Sequence, residues 1–317
     1  MELDKFIKDN NYRSDVHYFL CRCLYEAWLL KNYRFKSREK LIKWRYKQIF
    51  GKDPDLEKPI SMNEKIQWLK LNGYKKFYTI CADKYAVREW LSEKFGEQYL
   101  IPLYFHTDNW REINHNNINQ FPCIIKANHS SKDYIIVRDP NNVDWKGLQR
   151  RCRFWLKRNY FLETQEVQYR DIKRQVVVEK LLQTKEGKIP NDYKLHFFNG
   201  ELKIVYVSID REGIDKRNLY DADWNPLYFG WSGSGKSWEE SRGPEIDPPI
   251  TFELMKKMGA EIAKDFRYVR VDYYECDGQL YFGEITLHHG SGRDRFVPQQ
   301  YDTIFGQQLI LPCDEER

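Results

Sequence analysis

The chain has 317 residues, 41% hydrophobic and 31% charged, with a formal net charge of +5, and that length supports two or three subdomains with a buried core. No apolar run approaches the roughly 20 residues of a membrane span, and the opening MELDKFIKDNNYR has neither the apolar core nor the cleavage site of a signal peptide, so a cytoplasmic protein is expected. Cys21, Cys23, Cys81, Cys123, Cys152, Cys276 and Cys313 are scattered and include no CxxC pair, which argues against a disulfide framework and a structural zinc site.

Residues 1 to about 60 read as a helical extension, with Leu20, Leu24, Ala27, Trp28 and Leu30 forming an apolar stripe at helical spacing. Lys31 to Lys52 reads as a basic helix, almost free of acids. A solvated helix face accounts for such a run; contact with an anionic membrane surface or polymer accounts for it too. Nucleic acid is not expected, because no zinc finger, RNP pattern or recognition helix accompanies the run. After a loop at 52–59, Ser61 and Glu64 form a capping box. Another helix is expected from about Ala82 to Phe95.

From residue 96 the texture turns to short β-rich runs at 99–105, 121–127 and 134–137, then a basic helix at about 144–160. Strands are expected at 174–182, 194–198 and 202–209, the last two joined at Asn199-Gly200, a strong hairpin signal. A helix at about 251–266 precedes a second hairpin, 268–274 and 280–286, around Asp277-Gly278. Helices followed by antiparallel hairpins indicate an α+β fold, without the alternating βαβ units of a dinucleotide-binding domain. The stretch 230–249, rich in Gly, Ser and Pro, reads as a mobile loop. Its GSGKS fits a P-loop only with Gly230 as first glycine and follows no buried parallel strand, which argues against a P-loop.

The most informative stretch is VRVDYYECDGQLYFGEITLHHGSG at 269–292. A three-residue turn with Gly278 left-handed would set Asp272 directly opposite Glu284. A strict two-residue turn would pair Asp272 with Gly283 and send the carboxylates to opposite faces; the first is expected. Paired carboxylates repel unless a cation lies between them, and Mg²⁺ suits that place. Thr286 shares the face of Glu284. As a second element, Lys126 ends an apolar strand beside the polar loop 128–133, a pattern that suits phosphate as well as a plain surface hairpin. As a third, QVVVEKLL at 175–182 is a buried strand whose Glu179 is either structural or part of a hinge that meets a base edge.

Together these stretches resemble the ATP-grasp superfamily, and within it the TupA-like family, named for a teichuronopeptide biosynthesis protein. The marks are MNEKIQWLKL (62–71), ADKYAVREW (82–90), IIKANHSS (124–131), VVEKLL (177–182), DYKLHFFNGELK (192–203) and VRVDYYECDGQLYFGEIT (269–286) with GSG after it; the resemblance spans roughly 55–312. It implies an ATP-grasp fold with an N-terminal helical extension (1–60), an N-terminal subdomain (61–120), a small subdomain (121–185) and a large one (186–317).

The same resemblance implies site roles. Lys84 and Lys126 would hold the ATP phosphates, with Asn128, Ser130 and Ser131 in the loop above them. Glu179, Leu181 and Leu182 would form the adenine hinge. Lys194 would reach the γ-phosphate, and Arg270 would stabilise the transferring group. Asp272, Glu284 and Thr286 would bind Mg²⁺, although many relatives have Asn where Thr286 stands, and the phosphate loop lacks the usual glycines. On geometric grounds, because the metal and the γ-phosphate would sit at the end of this strand, the segment leaving it, with His288, His289, Ser291 and Arg293, would meet the acidic substrate, the histidines binding sugar hydroxyls or taking a proton from the amine.

The implied reaction joins a carboxylate to an amine through an acyl phosphate, at the expense of ATP. The partners would be a carboxylate-bearing sugar or amino acid and an amine acceptor, in surface polysaccharide biosynthesis. A glycosyltransferase and a non-catalytic nucleotide-binding scaffold are the alternatives. The lysine strand and paired carboxylates suit a nucleoside triphosphate better than a nucleotide sugar.

Overall fold

The computed structural model describes residues 12, 14–209 and 216–312. Most of the MELDKFIKDNNYR stretch and Cys313 lie outside the described residues.

Helix α1 (Asp15–Leu29) starts at Ser14, whose hydroxyl accepts the His17 N–H. Its buried face is Tyr18, Cys21, Tyr25 and Leu29, while Leu20, Leu24, Leu30 and Ala27 are exposed. This reverses the expected stripe. The tyrosines share the helical period, and Tyr25 is buried with its hydroxyl donating to Glu163 Oε1 at 2.7 Å. A π-helical turn, Leu30–Arg34, and a break at Ser37 separate α1 from α2 (Arg38–Phe50). The basic run is therefore not one helix, because Ser37 caps a new one by accepting the Lys40 N–H.

Helix α3 (Met62–Asn72) carries the expected capping box. The helix expected from about Ala82 begins instead at Val87, as α5 (Val87–Phe95), and a separate helix, α4 (Phe77–Ala82), precedes it. Asp83 separates the two: its Oδ1 accepts the N–H groups of Tyr85 and Ala86. That break places Lys84 in a turn.

The chain continues through β1 (Leu103–Thr107), β2 (Cys123–Ala127), β3 (Tyr134–Val137), α6 (Trp145–Trp155), α7 (Tyr160–Thr164) and β4 (Val176–Lys180). The helix expected at 144–160 ends at Trp155, and Asn159 caps the separate α7 by accepting the Leu162 N–H. Next come β5 (Asp192–Phe198), β6 (Glu201–Ile209), β7 (Lys216–Tyr220), β8 (Gly230–Ser232), α8 (Trp238–Ser241) and α9 (Phe252–Ala263). The chain closes with β9 (Tyr268–Cys276), β10 (Gln279–Thr286), β11 (Arg295–Val297) and α10 (Gln300–Gln308). The stretch 230–249 is thus not a bare loop. It holds β8 and α8, β8 pairs with β11, and Gly243 N–H donates to Asn218 Oδ1 at 2.9 Å.

Two antiparallel sheets frame the molecule, ordered β1-β4-β2-β3 and β10-β9-β5-β6-β7. Alternating apolar residues give each sheet a face to bury. The first packs on α1 and α6 through Ile125, Val178, Phe154 and Trp155. The second packs one face on α9, through Leu195, Val271 and Met255, and the other on α3 and α10, through Ile66, Phe198 and Phe305. The six cysteines among the described residues are free. No helix among these residues is long and apolar enough to cross a membrane.

Candidate active site

The β9–β10 turn is two residues, Asp277 and Gly278, with φ of 53° and 82°, not the expected three. Such a turn alone would oppose Asp272 to Gly283. Instead the ladder slips at Gly283: Phe282 pairs with Tyr273, and Glu284 with Asp272. Glycine suits the bulge, because a Cβ there would come 2.9 Å from the Asp272 carbonyl oxygen. The expected pairing arises from a bulge, not from the turn. Thr286 then faces Arg270, and on the other side of β9 Lys194 faces Asp272.

Arg270 is the cation between the two carboxylates. Its Nε and Nη2 donate to Asp272 at 2.6 and 2.7 Å, and Nη2 also donates to Glu284 Oε1 at 2.9 Å. Nη1 lies 2.8 Å from His289 Nδ1. Thr286 donates to Glu284 Oε1 at 3.2 Å. Lys194 pairs with Asp192 and stands 3.5 Å from Asp272 Oδ2. Burial opposes ionisation of Glu284, but Lys84, then Arg270 and Lys194, outweigh it and hold the carboxyl at about 2. For Asp272 burial prevails, and its pKa is raised despite Arg270 and Lys194.

The first sheet supplies Lys126, 2.5 Å from Glu179 Oε2, while Arg88 of α5 holds Glu179 Oε1 at 3.1 Å. Lys84 links the sheets: its ammonium donates to Ser130 O at 2.7 Å and stands 3.8 Å from Glu284 Oε2. Burial lowers its pKa, and Glu284 opposes that shift.

Asn128 is buried and committed to the protein. Its Nδ2 donates to Asp83 Oδ1 and Lys173 O, and its Oδ1 accepts the Gln175 N–H. Ser130 donates to Asp133 at 2.6 Å, whereas Ser131 is exposed. At the expected hinge, Leu181 N–H donates to Pro122 O at 3.1 Å; Leu182 N–H has no backbone acceptor among the described residues.

Beyond β10 the chain enters a buried turn in which Gly290, Ser291 and Gly292 have φ of 54°, 57° and 64°. A Cβ at Gly290 would strike Asp294, and one at Gly292 would strike Gln67. Ser291 accepts from Lys70 at 2.9 Å. His288 Nδ1 is 3.0 Å from Gln168 Nε2 and 3.6 Å from Glu166. His289 packs at a tilt against Trp231 and stands 3.3 Å from Asp294. Both rings are buried, and burial lowers their pKa values despite those acids. They brace the turn and are not open to sugar hydroxyls as expected. Arg293 is separate from them and lines a cavity under α1 and α2.

Lys70, Arg88 and Glu166 were not anticipated. Lys70 stands four residues after Ile66 and so shares its buried face; a lysine on such a face is the signal that could have identified it.

The residues fit Mg²⁺ with Glu284 as the carboxylate ligand. Its Oε2 takes no hydrogen bond among the described residues, and Thr286 adds a hydroxyl beside it. No group of three or more His, Cys, Asp or Glu side chains is arranged to hold a metal ion among the described residues, so other ligands would be phosphate oxygens and water, the pattern Mg²⁺ favours. Both oxygens of Asp272 face Arg270, which makes Asp272 the anchor of that guanidinium. Lys84, Lys126 and Lys194 offer cations to a triphosphate.

Two antiparallel α+β layers, linked where Lys84 spans Ser130 and Glu284, make up the ATP-grasp fold. The chain belongs to the TupA-like ATP-grasp family, whose model matches residues 64–310. No curated protein matches it. Among solved structures it is similar to D-alanine–D-alanine ligase from Bacillus anthracis complexed with ATP, at 15% identity over 66% of this chain and 54% of that one, TM-score 0.37. It is also similar to the ATP-grasp ligase PsnB with its minimal precursor variant, Mg and ADP, at 12% identity, 72% and 58% coverage, TM-score 0.39. A third is N5-carboxyaminoimidazole ribonucleotide synthetase with ADP, at 11% identity, 71% and 51% coverage, TM-score 0.39. The chain thus spans little more than half the length of these structures.

Proposed function

We propose that the chain is an ATP- and Mg²⁺-dependent carboxylate–amine ligase that forms an amide through an acyl phosphate. The reading is carried by one observation: Lys84 and Arg270 converge on the two oxygens of Glu284, at 3.8 and 2.9 Å. ATP would supply the phosphoryl group that activates the substrate carboxylate, and Mg²⁺ would neutralise charge on the phosphate oxygens. Lys84 and Lys126 hold the phosphates in this reading, and Lys194 points toward the group transferred. Arg270, fixed by Asp272, supplies positive charge where negative charge develops, with little reorganisation. In this reading the loop above, on which Ser131 and Lys132 are exposed, would close to exclude water from the reactive acyl group.

The substrate pair in this reading is an amino acid and a uronic acid or glycan-linked peptide of a bacterial surface polysaccharide, supported by the family to which the chain belongs. The test is ADP release from ATP and Mg²⁺ that requires both a carboxylate and an amine. Glu284→Gln should abolish it while the melting temperature stays near that of the wild type. Consumption of a nucleotide sugar without ADP release would replace the ligase with a glycosyltransferase. ATP binding without any turnover would replace it with a scaffold.

A second reading, peripheral contact with an anionic membrane surface, is supported by α1. Val16, Phe19, Leu20 and Leu24 form an exposed apolar row, and exposed Lys31, Phe35, Lys36 and Lys40 follow it in the chain.

A further inference from the structure

Between the N-terminal helices and the phosphate loop lies a cavity of about 590 Å³. Arg45 of α2 and Arg293 both line it, and each has a buried guanidinium nitrogen, Nη1 and Nε respectively, without a hydrogen-bond partner. Leaving a buried charged donor unmet is costly, so such atoms mark the place of a ligand. The acids of the same cavity are already taken. Arg158 binds Asp133 at 2.7 Å and Glu163 at 2.5 Å. Nearby Asp294 faces His289, and Glu166 faces His288. Two guanidinium groups are therefore left over, on one cavity, with no carboxylate bonded to either among the described residues.

Aromatic rings make up much of the remaining wall, beside Gln48, Ile49, Ser131, Lys132 and Thr164. Arg45 lies over the Tyr33 ring at 4.6 Å, and Trp28 meets Tyr33 edge-on at 4.8 Å. Trp44 and Tyr160 face the same space. Burial first, and then the charge of Arg45, lower the pKa of Arg293; a bound anion would relieve both guanidinium groups.

We propose that this cavity binds an acidic saccharide, with Arg45 and Arg293 closing on its carboxylate or phosphate and the indoles of Trp28 and Trp44 lying against the sugar ring. Guanidinium forks match either anion, and flat aromatic faces suit the apolar side of a pyranose. Arg45, Trp28 and Trp44 precede the residues that the family model matches, 64–310, so the N-terminal helices set the choice of substrate. The inference rests on the ligase reading only for what becomes of the bound sugar.

The test is titration calorimetry on the full chain without ATP, using trigalacturonate, glucose 1-phosphate and neutral maltotriose. At least one acidic ligand should bind ten times or more tighter than maltotriose, and the one that does so identifies the anion as carboxylate or phosphate. Arg45→Gln should weaken that ligand at least tenfold and leave the affinity for Mg²⁺-ATP within twofold. Equal binding of acidic and neutral ligands, absence of binding, or an Arg45→Gln chain that binds like the wild type overturns the proposal. If Arg45→Gln does not fold, Arg45→Lys keeps the charge and loses the fork; an at least threefold loss is expected, and an unchanged affinity overturns the proposal. Arg45-dependent binding in a chain that never releases ADP would sink the ligase reading and leave this one standing.

Discussion

Glu284 faces Asp272 because Gly283 has slipped out of the β9–β10 ladder. A side chain at 283 would press on the Asp272 carbonyl at 2.9 Å and the Tyr274 ring at 3.1 Å. Gly283→Val should therefore cost about 1–3 kcal/mol of stability, the range for overpacking, and lower turnover beyond that loss by misplacing Glu284. Urea midpoints together with ADP release check this. A valine variant with full turnover would show that the bulge does not set the site.

Lys126 is expected to carry much of the nucleotide affinity. Lys126→Met should weaken Mg²⁺-ATP binding at least tenfold, about 1.4 kcal/mol. The substitution also leaves Glu179, buried against Arg88, with one cation where it had two, so the melting temperature should fall. Calorimetry and a thermal melt separate the two effects. Unchanged affinity would remove β2 from the nucleotide site.

Lys70 should make stability depend on pH. Burial pushes its ammonium well below the ordinary range, with Glu166 opposing. The unfolded chain therefore binds more protons at this residue than the folded one between the lowered pKa and the unfolded value of about 10.4. Stability should rise with pH in that window. The difference in unfolding free energy between wild type and Lys70→Met should shift in favour of the wild type from pH 6 to pH 9. A flat difference would mean that Lys70 keeps its ordinary pKa.

The exposed row on α1 should anchor the chain weakly to anionic vesicles. Phe19→Asp together with Leu24→Asp should reduce co-sedimentation at low salt, and added salt should reduce it for the wild type. If the wild type stays in the supernatant at low salt, α1 and the basic residues after it simply face water.

Local chemistry was legible where neighbouring residues decide it. The Asn199-Gly200 turn, the Ser61–Glu64 box and strand β3 depend on a few adjacent side chains and stand where expected. The face of α1 was misread because tyrosines, polar at one end, carry its buried row. The bulge at Gly283 escaped notice because its cause is a carbonyl on the neighbouring strand. Arg270 was expected to stabilise the transferring group; it grips Asp272 from two residues away on the same strand, while its reach to Glu284 depends on the register that the bulge creates. Asn128 reads as a phosphate-loop residue until Asp83, Lys173 and Gln175, distant in sequence, are seen to use its amide.

Arg38 reaches from the N-terminal helices to the carbonyl oxygens of Lys70 and Gln165, while Tyr18, Tyr25, Leu29 and Leu41 share one core with Ile125, Phe154 and Val178. The molecule is therefore not divisible at the family boundary. A shortened chain beginning near residue 64 would keep every lysine and carboxylate of the candidate site, yet strip an apolar wall from the first sheet, and such an opened face invites aggregation. Anyone excising the family-matched part for expression should expect an insoluble product, and the helices ahead of it belong in any version made for crystals or assays.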